Sequence, residues 1–203
     1  NGAMRELWHV PKAGDTVTTL RICDTDGNRI YQRGLLHMLV AATRECLPGR
    51  ELDVQHTVGT GIYCELRDSY LSPFELEAIE RKMEEYVQGN EPFVRKIISR
   101  EEAVALYRRE GQLDKARLLQ FRTKDDFKVY ACEGISDYFY GYMPPSTGYI
   151  RRFRLVYQHP GFVLLSPQAS DPSAPLSFKP LPKLAHVFRQ SEHWAEILEC
   201  GTV

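Results

Sequence analysis

No stretch of the 203 residues approaches the roughly 20 consecutive apolar positions that a bilayer-spanning helix needs, and no charged-apolar-small leader opens the chain. A membrane role is therefore not expected, and the expected location is the cytoplasm. An excess of one charge is also lacking: Lys plus Arg number 26 against 27 for Asp plus Glu, so any nucleic-acid contact has to come from a local patch. There is no Cys-x-x-Cys pair. The cysteines, Cys23, Cys46, Cys64, Cys132 and Cys200, are odd in number and widely scattered, which argues against a disulfide framework and against a structural zinc site. Reduced, mostly buried thiols are the expectation. Also missing are a Gly-x-x-x-x-Gly-Lys-Ser/Thr phosphate loop, a Gly-x-Ser-x-Gly elbow, a His-Glu-x-x-His helix and a dinucleotide-binding glycine pattern. Nucleotide phosphotransfer is not encoded in these residues.

What is present is an ordinary core supply, with 43% hydrophobic residues, enough for one large domain or two small ones. Residues 16–22 (TVTTLRI) are rich in β-branched side chains and precede a turn-like Asp24-Thr25-Asp26-Gly27-Asn28, so a strand is expected there. A helix should follow over 30–47, because Leu36, Leu39, Val40, Thr43 and Leu47 recur at three- and four-residue intervals before Pro48-Gly49. Segments 52–58 and 61–66 flank Gly59-Thr60 and read as a β-hairpin. Ser72-Pro73-Phe74-Glu75 has the form of a capping box with proline at the first helical position, and Gly89 supplies the expected stop. Residues 93–98 read as a strand, Ser99 and Glu102 repeat the capping pattern, and two short helices should run to about 111 and from 113 to 121. Strands are expected at 127–132, 149–158 and 162–166. Five prolines between 167 and 182 mark a crossing segment, and Leu184, Val187, Phe188, Trp194, Ile197 and Leu198 suggest terminal helix, with Ser191 able to break it.

Four ordered segments carry a resemblance: Arg33-Gly34-Leu35-Leu36-His37, Gly59-Thr60-Gly61-Ile62-Tyr63-Cys64-Glu65, the capped helix and strand of 72–99, and Gly141-Tyr142-Met143-Pro144-Pro145-Ser146-Thr147-Gly148. Together they resemble the second additional domain of threonyl-tRNA synthetase, which discharges mischarged tRNA. The likeness covers about residues 28–160, and the Pro-Ser-Thr-Gly run is its most specific part. The chain also resembles the amino-terminal region of bacterial uridine-kinase-like nucleoside kinases, through Ile98-Ser99-Arg100-Glu101-Glu102-Ala103, Asp114-Lys115, Asp137-Tyr138-Phe139-Tyr140-Gly141, and Val187-Phe188-Arg189 through Trp194 to Leu198. The implied fold is α+β, an antiparallel sheet packed with helices, threonyl/alanyl-tRNA synthetase second-additional-domain-like. The implied division is 1–27, a tag remnant with an N-terminal arm or the last strand of a TGS-like domain; 28–166, the editing-like domain; and 167–203, the crossing segment and a helical linker toward a kinase domain absent from this sequence.

Active editing domains of this superfamily carry His-x-x-x-His on the first helix and Cys-x-x-x-His on a later loop, four groups able to hold zinc or orient water. Residues four apart share a helix face, which is why that spacing suits a single ion. On these motifs the present chain places Arg33 and His37 at the first pair and Phe139 and Met143 at the second. A guanidinium is a permanent cation, a phenyl ring has no donor atom, and a thioether suits zinc poorly. No catalytic residue and no metal ligand is assigned on this basis. The resemblance implies a ligand-binding cleft of Arg33, His37, His56, Tyr63, Tyr142 and Ser146, for a small anion or polar metabolite; the plainer alternative is a retired pocket whose side chains only pack.

The expected function is thus a non-catalytic recognition or regulatory domain of an ATP-dependent uridine or nucleoside kinase. Its partner would be the kinase domain of the same chain, with ATP and Mg confined to that domain and a small molecule as possible ligand. Two alternatives stand beside it. One is a residual deacylase of mischarged tRNA using His37, His56 and Cys64. The other is a tRNA-binding module, less favoured: Arg151, Arg152 and Arg154 are interleaved with Tyr149, Phe153 and Tyr157, but strand alternation would split the arginines between two faces.

Overall fold

The computed structural model describes residues 2–67, 69–109, 113–119, 121, 126–138 and 141–181, with positions 183, 187, 190, 191, 194, 197 and 198, and only the backbone at 114 and 126. The first element is the 22-residue helix α1 (Thr25–Cys46), entered from Asp24 in extended conformation. Its buried positions include Tyr31, Leu35, His37, Met38, Leu39, Ala41 and Ala42, so it is enclosed on more than one side. Of the expected stripe Leu39 and Thr43 are buried, whereas Leu36, Val40 and Leu47 are only partly so.

Strands β1 (Leu52–Val58) and β2 (Gly61–Leu66) form the anticipated hairpin, with Gly59 at φ 58°. Helix α2 (Pro73–Gly89) begins with both capping-box bonds: the Glu75 amide donates to the Ser72 hydroxyl at 3.3 Å, and the Ser72 amide donates to the Glu75 carboxylate at 2.7 Å. Its end differs from expectation, because Gly89 is the last helical residue and Asn90 takes the left-handed cap at φ 53°. Next come β3 (Val94–Ser99), α3 (Arg100–Arg109) and α4 (Leu113–Leu119). The second reciprocal pair, Ser99 with Glu102, starts α3 as its sequence implied. Strands β4 (Asp126–Cys132) and β5 (Ile135–Tyr138) then close a hairpin whose turn has Glu133 and Gly134 at positive φ. After a single 3-10 turn (Thr147–Tyr149) the chain forms β6 (Arg154–Gln158) and β7 (Gly161–Leu165).

All strand pairs are antiparallel. One sheet has the order β1-β2-β7-β6 and the other β3-β4-β5. The main core lies between α1, α2 and the inner face of the four-stranded sheet, where Cys64, Leu66, Phe162 and Leu164 meet Met38, Ile79 and Met83. Tyr130 and Cys132 of β4 join it, so the second sheet shares the same core. A satellite cluster of Ala103, Tyr107, Ala116, Leu119 and Phe127 seats α3 and α4 on β4. On the outer face of the four-stranded sheet Val58, Val163 and Leu165 are covered by Leu176 and Phe178, which gives the proline-rich segment its work as a crossing strap. Arg152 ties that strap down by donating to the carbonyls of Pro172, Ser173 (3.3 Å) and Ala174 (2.9 Å).

Several expectations require correction. Residues 16–22 carry no strand, because no neighbouring strand accepts their hydrogen bonds; 16–21 are exposed and only Ile22 packs against the core. The expected strand 149–158 starts only at Arg154; the amide and carbonyl of Arg152 are both bonded to the Tyr31 hydroxyl, at 2.9 and 2.7 Å, which substitutes for a ladder. That removes Arg151 and Arg152 from strand alternation: Arg151 donates through Nε to the Gly148 carbonyl at 2.8 Å, and Arg152 is held by the strap. The edge of β6 is protected instead, the Leu155 amide donating to the Glu80 carboxylate at 2.8 Å. Strand β5 was not anticipated. In the terminal region Val187, Gln190, Ser191, Trp194 and Ile197 are helical, while Leu184, Phe188 and Cys200 lie outside the described residues.

Candidate recognition face

Helix α1 meets the loop after β5 closely enough to exclude a side chain at Gly34, where an added Cβ would lie 2.5 Å from Cγ of Pro144 and 2.7 Å from Cδ1 of Ile150. This contact brings together one end of the anticipated cleft. The Arg33 guanidinium donates to the Tyr142 carbonyl at 2.8 Å and lies against Gly141, whose φ of 117° and lack of a Cβ permit the approach. One helical turn on, His37 is 1% exposed. Its Nε2 is 3.2 Å from the Cys132 carbonyl oxygen; a carbonyl only accepts, so Nε2 carries the proton of the neutral ring. The ring packs edge-on against Phe93, with centroids 5.5 Å apart. Burial holds its pKa below the usual histidine value, against the opposing effects of the Cys132 carbonyl and Asp137.

A charged pair whose side chains no local sequence pattern joins also acts on His37. Lys115 donates to both carboxylate oxygens of Asp137, at 2.8 and 2.7 Å, and its ammonium lies 5.7 Å from the Tyr107 ring centroid. Lys115 and Asp137 stand 22 positions apart on a helix and a strand, and only the pairing of β4 with β5 and the seating of α4 on β4 bring them together.

Ser146 lies on the far side of the same loop. Its hydroxyl donates to the Asn90 side-chain oxygen at 2.6 Å, while the Thr147 hydroxyl donates to the Tyr86 carbonyl at 2.6 Å and accepts from the Glu91 amide at 2.9 Å. A Cβ at Gly148 would lie 2.1 Å from Oδ1 of Asn90. The Pro-Ser-Thr-Gly run is therefore a structural clamp on the end of α2.

His56 and Tyr63 do not join this group. Between Val54 and Thr57 the β1 register slips by one residue against β2, a β-bulge that leaves Val54 opposite Cys64 and Thr57 opposite Ile62. Thr57 then shares the inner face, and His56 and Val58 turn to the outer one. There His56 lies 5.4 Å from the Tyr63 ring, and Tyr63 donates to Glu65 at 3.0 Å and packs with Val58 and Val163. The sheet thus separates His56 and Tyr63 from Arg33, His37 and Tyr142. The deacylase trio is split in the same way: Cys64 is buried on the inner face, and burial pushes its thiol up to about 12, so it stays protonated near neutrality.

The four positions matched to the zinc motif in the sequence do not fit a metal ion. Arg33 is a cation, His37 presents its protonated nitrogen to a carbonyl, and Met143 is buried in the main core; Phe139 lies outside the described residues. Among the described residues no three His, Cys, Asp or Glu side chains gather in a way that could hold a metal.

No protein-family profile matches the chain. It is similar to threonine–tRNA ligases: 33% identical over 137 residues to those of Burkholderia lata and Burkholderia mallei, and 32% identical over 137 residues to that of Burkholderia orbicola. In each case the match covers 66% of this chain and 21% of the relative, so the chain spans about a fifth of the length of the curated relatives it matches.

Proposed function

From the premise that this chain carries a threonyl-tRNA synthetase-like domain in an α+β fold with antiparallel sheets, we propose that it is a recognition domain without hydrolytic activity, derived from a tRNA-editing domain. The observation that carries this reading is the state of the inherited positions. Arg33 spends its guanidinium on a backbone carbonyl, and His37 is a neutral, buried imidazole facing another. A water-activating base has to reach a proton on a bound water or substrate, and this histidine is turned inward.

The ligand face is that of Arg33, Tyr142 and the Lys115–Asp137 pair. The parent protein in this proposal is a cytoplasmic uridine-kinase-like nucleoside kinase, which supplies ATP and Mg in a separate domain. Support for the kinase parent is sequence likeness alone, over Ile98-Ser99-Arg100-Glu101-Glu102-Ala103, Asp114-Lys115, Asp137-Tyr138-Phe139-Tyr140-Gly141 and Val187-Phe188-Arg189 through Trp194 to Leu198. A Gly-x-x-x-x-Gly-Lys-Ser/Thr loop within about 100 residues beyond Val203 is its test.

The recognition reading is tested by a thermal-shift screen with nucleosides, amino acids and deacylated tRNA. Arg33→Ala is expected to abolish the response and His56→Ala to leave it, because the sheet lies between them. Lack of response to every class removes the reading. A second reading, a residual deacylase, is favoured by one observation only, the Lys115–Asp137 pair whose charges act on His37. Hydrolysis of Ser-tRNA that disappears in Lys115→Ala, with or without added zinc, would establish it in place of the first.

A further inference from the structure

The first 21 residues touch the body in a selective way. Of residues 2–21 only Met4 and Glu6 are half-buried, while Leu7, Trp8 and Val10, which could bury apolar area, remain exposed. The arm is therefore not held by hydrophobic packing. It is held by polar contacts at two points. The Glu6 carboxylate accepts from the Tyr130 hydroxyl at 2.8 Å and pairs with the Arg95 guanidinium at 3.1 Å, its side chain only 16% exposed. The Tyr142 hydroxyl donates to the Met4 carbonyl at 3.0 Å.

The three body residues come from β3, β4 and the loop after β5, and they form a unit without the arm. The Arg95 guanidinium lies 6.0 Å from the Tyr142 ring centroid, and Tyr142 is tied through its own carbonyl to Arg33. Tyr130 is 2% exposed, and burial with the Glu6 contact raises its hydroxyl pKa, so it acts as a donor across the physiological range. A guanidinium and a buried phenol thus converge as donors on one carboxylate, while a second phenol beside them, that of Tyr142, donates to the arm's backbone at Met4. No acceptor contact is made to Glu6 by these groups, which is the chemistry of an oxyanion receptor.

We propose that Arg95 and Tyr130 constitute a binding site for a ligand oxyanion, a phosphate or a carboxylate, and that Glu6 of the arm occupies it as an internal competitor, with Tyr142 holding the arm beside it at Met4. The site rests on the reading of the Arg33–Tyr142 side as a recognition face and assigns that face its ligand chemistry. When a ligand anion takes the donors, Glu6 leaves, and Met4, two residues away and held at its carbonyl by the Tyr142 hydroxyl, is freed with it. Ligand binding is then read out as release of the arm. The competition also sets the affinity: if the arm is docked about nine-tenths of the time, the competent fraction is about one-tenth and apparent affinity falls about tenfold.

Trp8 stands two residues from Glu6, exposed, and Trp194 is the other tryptophan of the chain. In a Trp194→Phe background, the fluorescence anisotropy of Trp8 reports arm docking. Inorganic phosphate and acetate are titrated separately at constant ionic strength set with chloride, because a Glu–Arg pair weakens with salt alone. The expected result is a saturable fall in anisotropy with one or both anions, reaching the value that Glu6→Ala has without any anion. A response to phosphate only, or to acetate only, identifies which oxyanion the site takes. Glu6→Ala should bind that anion about tenfold more tightly by calorimetry, and Glu6→Ala/Arg95→Gln should lose the binding. Arg95 is one-third exposed, so this change spares the core, and Tyr130→Phe gives a second disabling variant that keeps the ring. Anisotropy unchanged by both anions, or anion binding that survives Arg95→Gln and Tyr130→Phe, overturns the proposal. Nucleoside or tRNA binding indifferent to Glu6→Ala and Arg95→Gln would remove the oxyanion site while leaving the recognition reading intact.

Discussion

Replacing Thr147 by valine keeps the shape of a side chain with 0% exposure and deletes only its hydroxyl, which isolates what the Pro-Ser-Thr-Gly run does. That hydroxyl stands between the Tyr86 carbonyl at the end of α2 and the Glu91 amide leading into β3. In the valine variant the Tyr86 carbonyl still accepts from the Asn90 amide at 3.1 Å, so it loses one of two bonds. The Glu91 amide faces a methyl group instead. An orphaned buried donor costs about 1–3 kcal/mol and a lost second bond about 1 kcal/mol, for a sum of about 2–4 kcal/mol. Thr147→Ser keeps both bonds and removes one methyl, costing about 1 kcal/mol. With a urea m-value of about 2 kcal/mol/M, the unfolding midpoint should drop by about 1–2 M for valine and about 0.5 M for serine. Amide exchange at Glu91 should accelerate in the valine variant and stay protected in the serine one. Equal midpoints for the two variants would refute the clamp and leave packing as the sole role of this residue.

Gly148→Ala drives a Cβ to 2.1 Å from the Asn90 oxygen and should cost about 1–3 kcal/mol; adding Asn90→Gly removes the obstacle and suits the left-handed cap, so the double mutant should be less destabilised than the two changes summed. Exposed Cys23 should react with a thiol reagent at pH 8 within minutes, whereas Cys64 and Cys132, both pushed up to about 12 by burial, should be labelled only on unfolding, as mass spectrometry of labelled peptides will register. Acidification should destabilise the fold through His37. Its folded pKa is depressed, so the unfolded chain binds the proton first: the contribution is complete above the unfolded value near 6.5 and is lost as pH falls through the folded one. Glu80, raised by burial, works in the opposite sense, so the comparison is between wild type and His37→Gln, whose urea midpoint should depend less steeply on pH between 7 and 5.

The parts of the fold legible in the residues are those whose causes are local. Ser72 with Glu75 and Ser99 with Glu102 lie three positions apart and marked two helix starts, because a cap is built from adjacent residues. Gly59 marked the hairpin, since the turn needs a positive φ there. The chemistry of Arg33, Phe139 and Met143 was also legible: residue type alone determines that a guanidinium or a phenyl ring offers no lone pair to a metal.

What tertiary structure decided is where side chains face and what they meet. A one-residue bulge in β1 sends His56 to the outer face of the sheet, and no local pattern in the residues around it announces the slip. Lys115 and Asp137, like Glu6 and Arg95, become partners only through strand pairing and helix seating over long separations, and a strand lacking a partner, as at residues 16–21, has β-branched side chains and still no sheet. Propensity is a property of neighbours in the chain, whereas a ladder, a cleft or an ion pair requires the free energy of segments brought together from far apart.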